Sequence, residues 1–138
     1  LNKKDLLNYI IVQVISGLMA VISVHYIFQI ELFQVSANIR GEMPLLISEI
    51  IATFGLVLTI LLIRKNDEKS VAMGVALFIT AGYWFTSSTS FANPAVTISR
   101  VFTDTFTGIA PESLIYFLCG QIVGCIIANY TFNIFDKK

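Results

Sequence analysis

Between Leu114 and Phe135 the chain runs 22 residues without one charged side chain, and Leu6–Phe28 runs 23 without an aspartate, glutamate, lysine or arginine. An α-helix needs about 20 mostly apolar residues to cross the ~30 Å hydrocarbon layer of a bilayer. A third run, Leu45–Ile63, has 19 residues and a single charge, Glu49. A fourth, Val71–Phe85, has 15, and reaches span length only by extending into Thr86–Ser90. A helix of a soluble protein keeps one charged face; these runs have none. They also lack the alternation of strands and are about twice the length of a membrane strand. The expectation is an all-α membrane protein with spans at about 6–28, 45–64, 70–88 and 113–135.

Composition narrows the function classes. Charged residues make up 13% of the 138-residue chain, against about 25% in ordinary soluble domains. Nine basic and nine acidic residues cancel, so no overall field draws nucleic acid. Two cysteines and one histidine are too few for a disulfide framework or a zinc cluster. Cys119 and Cys125, six apart in an apolar run, read as small core residues. The chain opens on Leu1 with no recognisable signal peptide, and reads as a piece or processed product of something larger.

Orientation follows from lysine and arginine in the connections. With alternating spans, one side holds Lys3, Lys4, Arg64, Lys65, Lys69, Lys137 and Lys138, and the other Arg40 and Arg100. Seven against two puts both ends and the Arg64–Ser70 turn in the cytoplasm. Aromatic residues mark the expected interfaces: Tyr26, Phe28 and Phe33 after the first run, and Tyr83, Trp84 and Phe85 after the third.

The connection Thr86–Pro111 carries the chemistry. Asn93 is a good N-cap, and Pro94 is favoured at the first helical position. Val96, Ile98, Val101, Phe102 and Phe106 suit a helix from Asn93 to about Thr105, with Gly108 as its stop. Thirteen residues give about 20 Å, enough to cross only part of the bilayer. The Ser/Thr-rich backbone before it cannot face lipid and is tolerated only where it lines a water-filled path or packs in protein. A re-entrant half-helix with its positive end inside the membrane would repel cations. Asn93 would donate to a passing oxygen, and the carbonyls of Ser90, Phe91 and Ala92 would accept. Asn93-Pro94-Ala95 would equally begin a helix in an outer loop.

The surrounding residues resemble the aquaporin (major intrinsic protein) family. Ser-Phe-Ala-Asn-Pro-Ala-Val-Thr follows a run ending Gly82-Tyr83-Trp84-Phe85. Tyr9-Ile10-Ile11-Val12-Gln13 resembles the start of that family's third span, and Glu49-Ile50-Ile51-Ala52-Thr53-Phe54 its fourth. Gly74 falls at a glycine of the fifth, and Gly120-Gln121-Ile122-Val123-Gly124 resembles the sixth. The resemblance covers essentially the whole chain, without the family's first two spans and first half-helix. It implies an aquaporin-like bundle of four spans plus one half-helix, cytoplasmic termini in the cell (plasma or inner) membrane, and a homotetramer. It implies no cofactor and no catalysis. Glu49 and Gln13 would support the re-entrant loop.

One departure bears on selectivity. Where most of the family carries arginine after the second Asn-Pro-Ala, this sequence has Val96, and Arg100 follows one turn later. The other filter positions correspond to Ala81 and Ser90. Small, uncharged residues there imply a wider filter, for glycerol or undissociated metalloid acids as well as water. This pattern resembles bacterial members associated with arsenic resistance. Two other classes stand beside the channel: a non-conducting truncated chain or assembly partner, and a small ion-coupled transporter, whose flux would depend on an ion gradient and on Glu49. A proton relay through Glu49 would need a titratable partner, and His25 reads as an interfacial residue near the end of another span. Gly120 and Gly124 would let two helices approach closely, within the chain or between copies.

Overall fold

The computed structural model describes residues 2–136, so Lys137 and Lys138 of the charge count lie outside the described residues. All regular structure among the described residues is helical. The α-helices are α1 (Lys3–Ile27), α2 (Met43–Asn66), α3 (Val71–Phe85), α4 (Pro94–Arg100) and α5 (Leu114–Asp136). Short 3-10 turns, Glu68–Ser70 and Pro111–Ser113, lead into α3 and α5. Among the described residues, three stretches are long and apolar enough to cross a membrane: Asp5–Ile27, Met43–Asn66 and Pro111–Asp136.

Two helices differ from the sequence expectation. α3 stops at Phe85 and does not continue to residue 88. The Thr86 backbone turns extended, and both its N–H and its hydroxyl donate to the Gly82 carbonyl, at 3.1 and 2.7 Å. α4 ends at Arg100, not Thr105, and is therefore about 10 Å long. Val101, Thr103, Thr105 and Thr107 are β-branched and lose χ1 freedom in a helix. The carbonyls a longer helix would use are taken instead by Ile109 N–H on Arg100 O (3.1 Å) and Ser36 N–H on Val101 O (2.8 Å). Gly108 is no helix stop; a Cβ there would lie 1.9 Å from the Thr103 carbonyl.

The chain forms two compact units. One comprises residues up to Arg40 together with Pro94–Leu114. In it α4 lies against α1 at Gly17, where a Cβ would meet the Ser99 hydroxyl at 2.2 Å. The segments flanking Ser36 and Gly108 are laced together. Ala110 N–H donates to Asn38 O (2.8 Å), Asn38 Nδ2 to Gly108 O (3.1 Å), and Ala37 N–H to Asp104 Oδ1 (3.0 Å).

The other unit comprises Gly41–Asn93 and the chain from Ile115 on. Its close contacts are made at glycine. A Cβ on Gly120 would stand 2.8 Å from Leu46 O, and one on Gly124 2.6 Å from Ile50 O, so α5 lies backbone-to-backbone on α2. The pair therefore serves packing within the chain. Gly55 admits the Phe78 ring of α3 to the same helix. Cys119 is exposed and Cys125 half-buried, contrary to the expectation of core residues. The buried stripe of α5 follows Phe117, Gly120, Gln121, Gly124 and Ala128, and a helical turn of 100° per residue carries both cysteines off it.

Candidate functional site

In the second unit the segment Thr86–Asn93 is an irregular loop held by α2. Consecutive residues of α2 hold it. Ser48 Oγ accepts from Ser88 N–H and donates to Ser88 Oγ, both at 3.1 Å. Glu49, 0% exposed, accepts from Phe91 N–H on Oε1 and from Ala92 N–H on Oε2, each at 3.0 Å. A third donor arrives from α5, where Gln121 Nε2 lies 2.8 Å from Oε2. Buried carboxylates are rare unless their oxygens are satisfied, and here three donors converge. The Phe91 ring packs at 4.8 Å between centroids on the fully buried Phe117.

The loop is conformationally costly. Thr89, Ser90 and Ala92 have φ of 63°, 50° and 47°, left-handed values that cost L-residues about 1–2 kcal/mol each. Hydrogen bonds to a charged acceptor return about 1.5–3 kcal/mol each, so the two Glu49 bonds are of the size needed to offset that strain. The strain also sets direction. The loop's peptide bonds are trans, so each carbonyl points opposite the N–H of the same peptide plane. Since Phe91 and Ala92 aim their N–H groups at Glu49, the carbonyls of Ser90 and Phe91 point away from it. The Ser90 hydroxyl is buried against Gly82, where a Cβ would come within 2.8 Å of it, and finds no hydrogen-bond partner. Ala81, one residue earlier, is exposed on α3.

In the first unit, Val96 and Arg100 of α4 line a cavity of about 340 Å³ together with His25, Thr103, Thr105 and Thr107. Arg100 donates through Nη1 to Thr107 Oγ1. His25 is buried in protein: it is 1% exposed, with Nδ1 3.0 Å from Leu32 O and Nε2 2.9 Å from Thr103 Oγ1. The chain past α1 folds back over it. By contrast Tyr26, Phe28 and Phe33 nearby are exposed, at 75%, 73% and 76%.

The predicted residues therefore fall into two groups. Ser90, Phe91 and Ala92 gather with Glu49, while Val96 and Arg100 share the α1–α4 cavity. Gln13 is exposed on α1. Sequence reasoning missed Gln121, Ser48 and the His25–Thr103 pair. A polar side chain between two glycines in an uncharged span was the available signal for Gln121. No group of three or more histidine, cysteine, aspartate or glutamate residues able to hold a metal occurs among the described residues.

Compared with known proteins, the chain is 40% identical over 128 residues to the aquaglyceroporin AqpS of Rhizobium meliloti (strain 1021), covering 93% of this chain and 55% of that protein. The chain belongs to the aquaporin family. It spans about half the length of the curated relative it matches. No protein-family profile and no solved structure matches. Aquaporins are channels of the lipid bilayer for water and small solutes, not enzymes, and family membership with the long apolar helices makes this a multi-pass membrane protein.

Proposed function

We propose that this chain forms part of the wall of a passive channel for water and small neutral solutes. It lies in the cell membrane with both ends cytoplasmic and works as a homotetramer. The observation that carries the reading is the anchorage of Phe91 and Ala92 on Glu49. It spends the loop's N–H groups on protein and turns the Ser90 and Phe91 carbonyls the other way, as acceptors along a solute path. Asn93 supplies the donor. Bare ions find no charged ligand in that row. Ala81 and Ser90 are small and uncharged, so a path that they border admits solutes larger than water. Glycerol and undissociated metalloid acids fit that description, and the similarity to an aquaglyceroporin supports it.

A second reading, a chain that conducts only with a partner, is favoured by α1, where only 6% of the apolar window is buried. Osmotic-shock light scattering on proteoliposomes separates the two. Swelling in glycerol faster than in empty liposomes, without an ion gradient, supports conduction by this chain. Equal rates favour the partner reading.

A further inference from the structure

Two hollows of opposite character in the first unit share one wall. Phe33, Gln34 and Val35 line both. One is an apolar cavity of about 430 Å³, bordered by Leu18, Val21 and Ile22 of α1 and by Phe102. The other is a polar hollow of about 400 Å³, bordered by Glu31 and Asp104.

The apolar cavity lies at membrane depth. Val21 and Ile22 follow Leu18 by three and four residues, so the three form one stripe of the helix. They belong to Asp5–Ile27, a stretch long and apolar enough to cross a membrane. At 1.5 Å per residue they stand about 8–14 Å below the C-terminal end of α1. The chain beyond α1 turns back alongside it, with Leu32 O 3.0 Å from His25 Nδ1 and Ser36 N–H donating to Val101 O at 2.8 Å. Those bonds satisfy irregular backbone that lipid could not. A water fills about 30 Å³ and a methylene group is of similar size, so the cavity takes several carbons of a hydrocarbon chain.

The polar hollow carries one sign of charge. Glu31 and Asp104 are both exposed, and the Glu31 carboxylate has no hydrogen-bond or ion-pair partner among the described residues. Asp104 Oδ1 accepts from Ala37 N–H at 3.0 Å and from the Ser36 hydroxyl at 3.4 Å, which holds its carboxylate in place. Gln34 Oε1 accepts from Asp104 N–H at 2.8 Å and ties the shared wall to it. No basic side chain lines the hollow. The Phe33 ring, 76% exposed, borders both spaces. Carboxylates attract an ammonium by charge, and an aromatic ring does so through its quadrupole.

We propose that the paired hollows bind one membrane lipid whose headgroup ends in an ammonium, in the leaflet that holds the C-terminal end of α1. The ammonium sits among Glu31, Asp104 and Phe33, and an acyl chain fills the cavity against Leu18, Val21 and Ile22. A lipid without a cationic group offers the two carboxylates nothing. Bound in this way, the lipid fastens the Phe33–Val35 segment to α1. The site requires only that the chain sits in a bilayer, not that it conducts.

Native mass spectrometry of the full chain tests this, with equal amounts of phosphatidylethanolamine and phosphatidylglycerol of identical acyl chains added in detergent. The two lipids share phosphate and tails, so the ammonium separates them. One ethanolamine lipid should be retained per chain, about fivefold over the glycerol lipid, the yield of two exposed charge pairs and a ring contact. Glu31→Gln alters an exposed side chain and should cut that preference about twofold. Adding Asp104→Asn, which keeps the Oδ1 acceptor, should bring the ratio to about one. Ile22→Trp fills the apolar cavity and should lose both lipids while the circular dichroism stays helical. Free ethanolamine at millimolar concentration should leave the bound lipid in place, because it has no chain for the cavity. Equal retention of the two lipids by the unaltered protein, or an undiminished preference in Glu31→Gln, overturns the proposal. So does a lipid retained by helical Ile22→Trp, or one displaced by ethanolamine alone.

Discussion

The amide nitrogen of Phe91 lies 3.0 Å from Oε1 of Glu49, a residue 42 positions earlier in the chain. Through this bond a helix interior fixes an irregular segment that has no regular backbone pairing of its own. Glu49→Gln tests it. A carboxamide has one acceptor oxygen, so one of the two N–H groups on Glu49 is left unsatisfied and faces an NH2. An orphaned buried donor costs about 1–3 kcal/mol, and the left-handed residues of the loop lose their restraint. Glycerol swelling should fall at least tenfold, to near the empty-liposome rate, with a lower thermal unfolding midpoint in detergent. Undiminished flux would remove Glu49 from the proposed path.

Much of this arrangement is legible in the residues, and the parts that are not share a cause. The long spans are readable because an uncharged run of 22 residues has few alternatives to the bilayer. Glu49 stands out as the one carboxylate inside a span, although its partners emerge only when α5 sets Gln121 beside it. The true length of α4 is hidden. Its local sequence tolerates five more helical residues, and the competing bonds come from Ser36 and Ile109, the first more than 60 positions away. The burial of His25 is hidden for the same reason. A residue at a helix end faces an interface only if the following chain does not fold back over it.

Ala81 is exposed on α3, so a larger side chain there meets no core neighbour. Ala81→Trp should change the unfolding free energy by no more than about 0.5 kcal/mol, as for surface changes, while cutting glycerol swelling severalfold and water flux less. Circular dichroism melts with stopped-flow scattering on one preparation read both. Unchanged glycerol flux would place Ala81 outside the constriction.

The α2–α5 contact makes a graded prediction among glycines. A Cβ on Gly124 would sit 2.6 Å from Ile50 O and 3.0 Å from Phe54 N, both backbone. Gly124→Ala must push two helices apart, an overpacking cost of about 1–3 kcal/mol. Gly74→Ala meets Ile63 Cδ1 at 2.2 Å, the far end of a flexible side chain, which can rotate away. Helix propensity favours alanine by up to ~1 kcal/mol at either site. The midpoint of unfolding in SDS titrations should therefore drop for Gly124→Ala and hold or rise for Gly74→Ala. The reverse order would contradict the packing described.

The contact of α1 with α4 can be tested by a double-mutant cycle. A Cβ on Gly17 would lie 2.2 Å from Ser99 Oγ but 3.4 Å from Ser99 Cβ, an ordinary contact. Gly17→Ala alone must expel the hydroxyl from its place and break its 2.8 Å bond to Ala95 O, or push α4 away. A net loss of about 1–2 kcal/mol is expected, since overpacking exceeds the helix-propensity gain. Ser99→Ala alone loses one i−4 hydroxyl bond, about 0.5–1.5 kcal/mol at most. In the double variant the two methyl groups fit at van der Waals distance, so its stability should match or exceed that of Ser99→Ala. The coupling should then be about 1 kcal/mol or more, where independent sites add within about 0.5. Strict additivity in the SDS titrations would mean that Gly17 and Ser99 do not touch in the membrane.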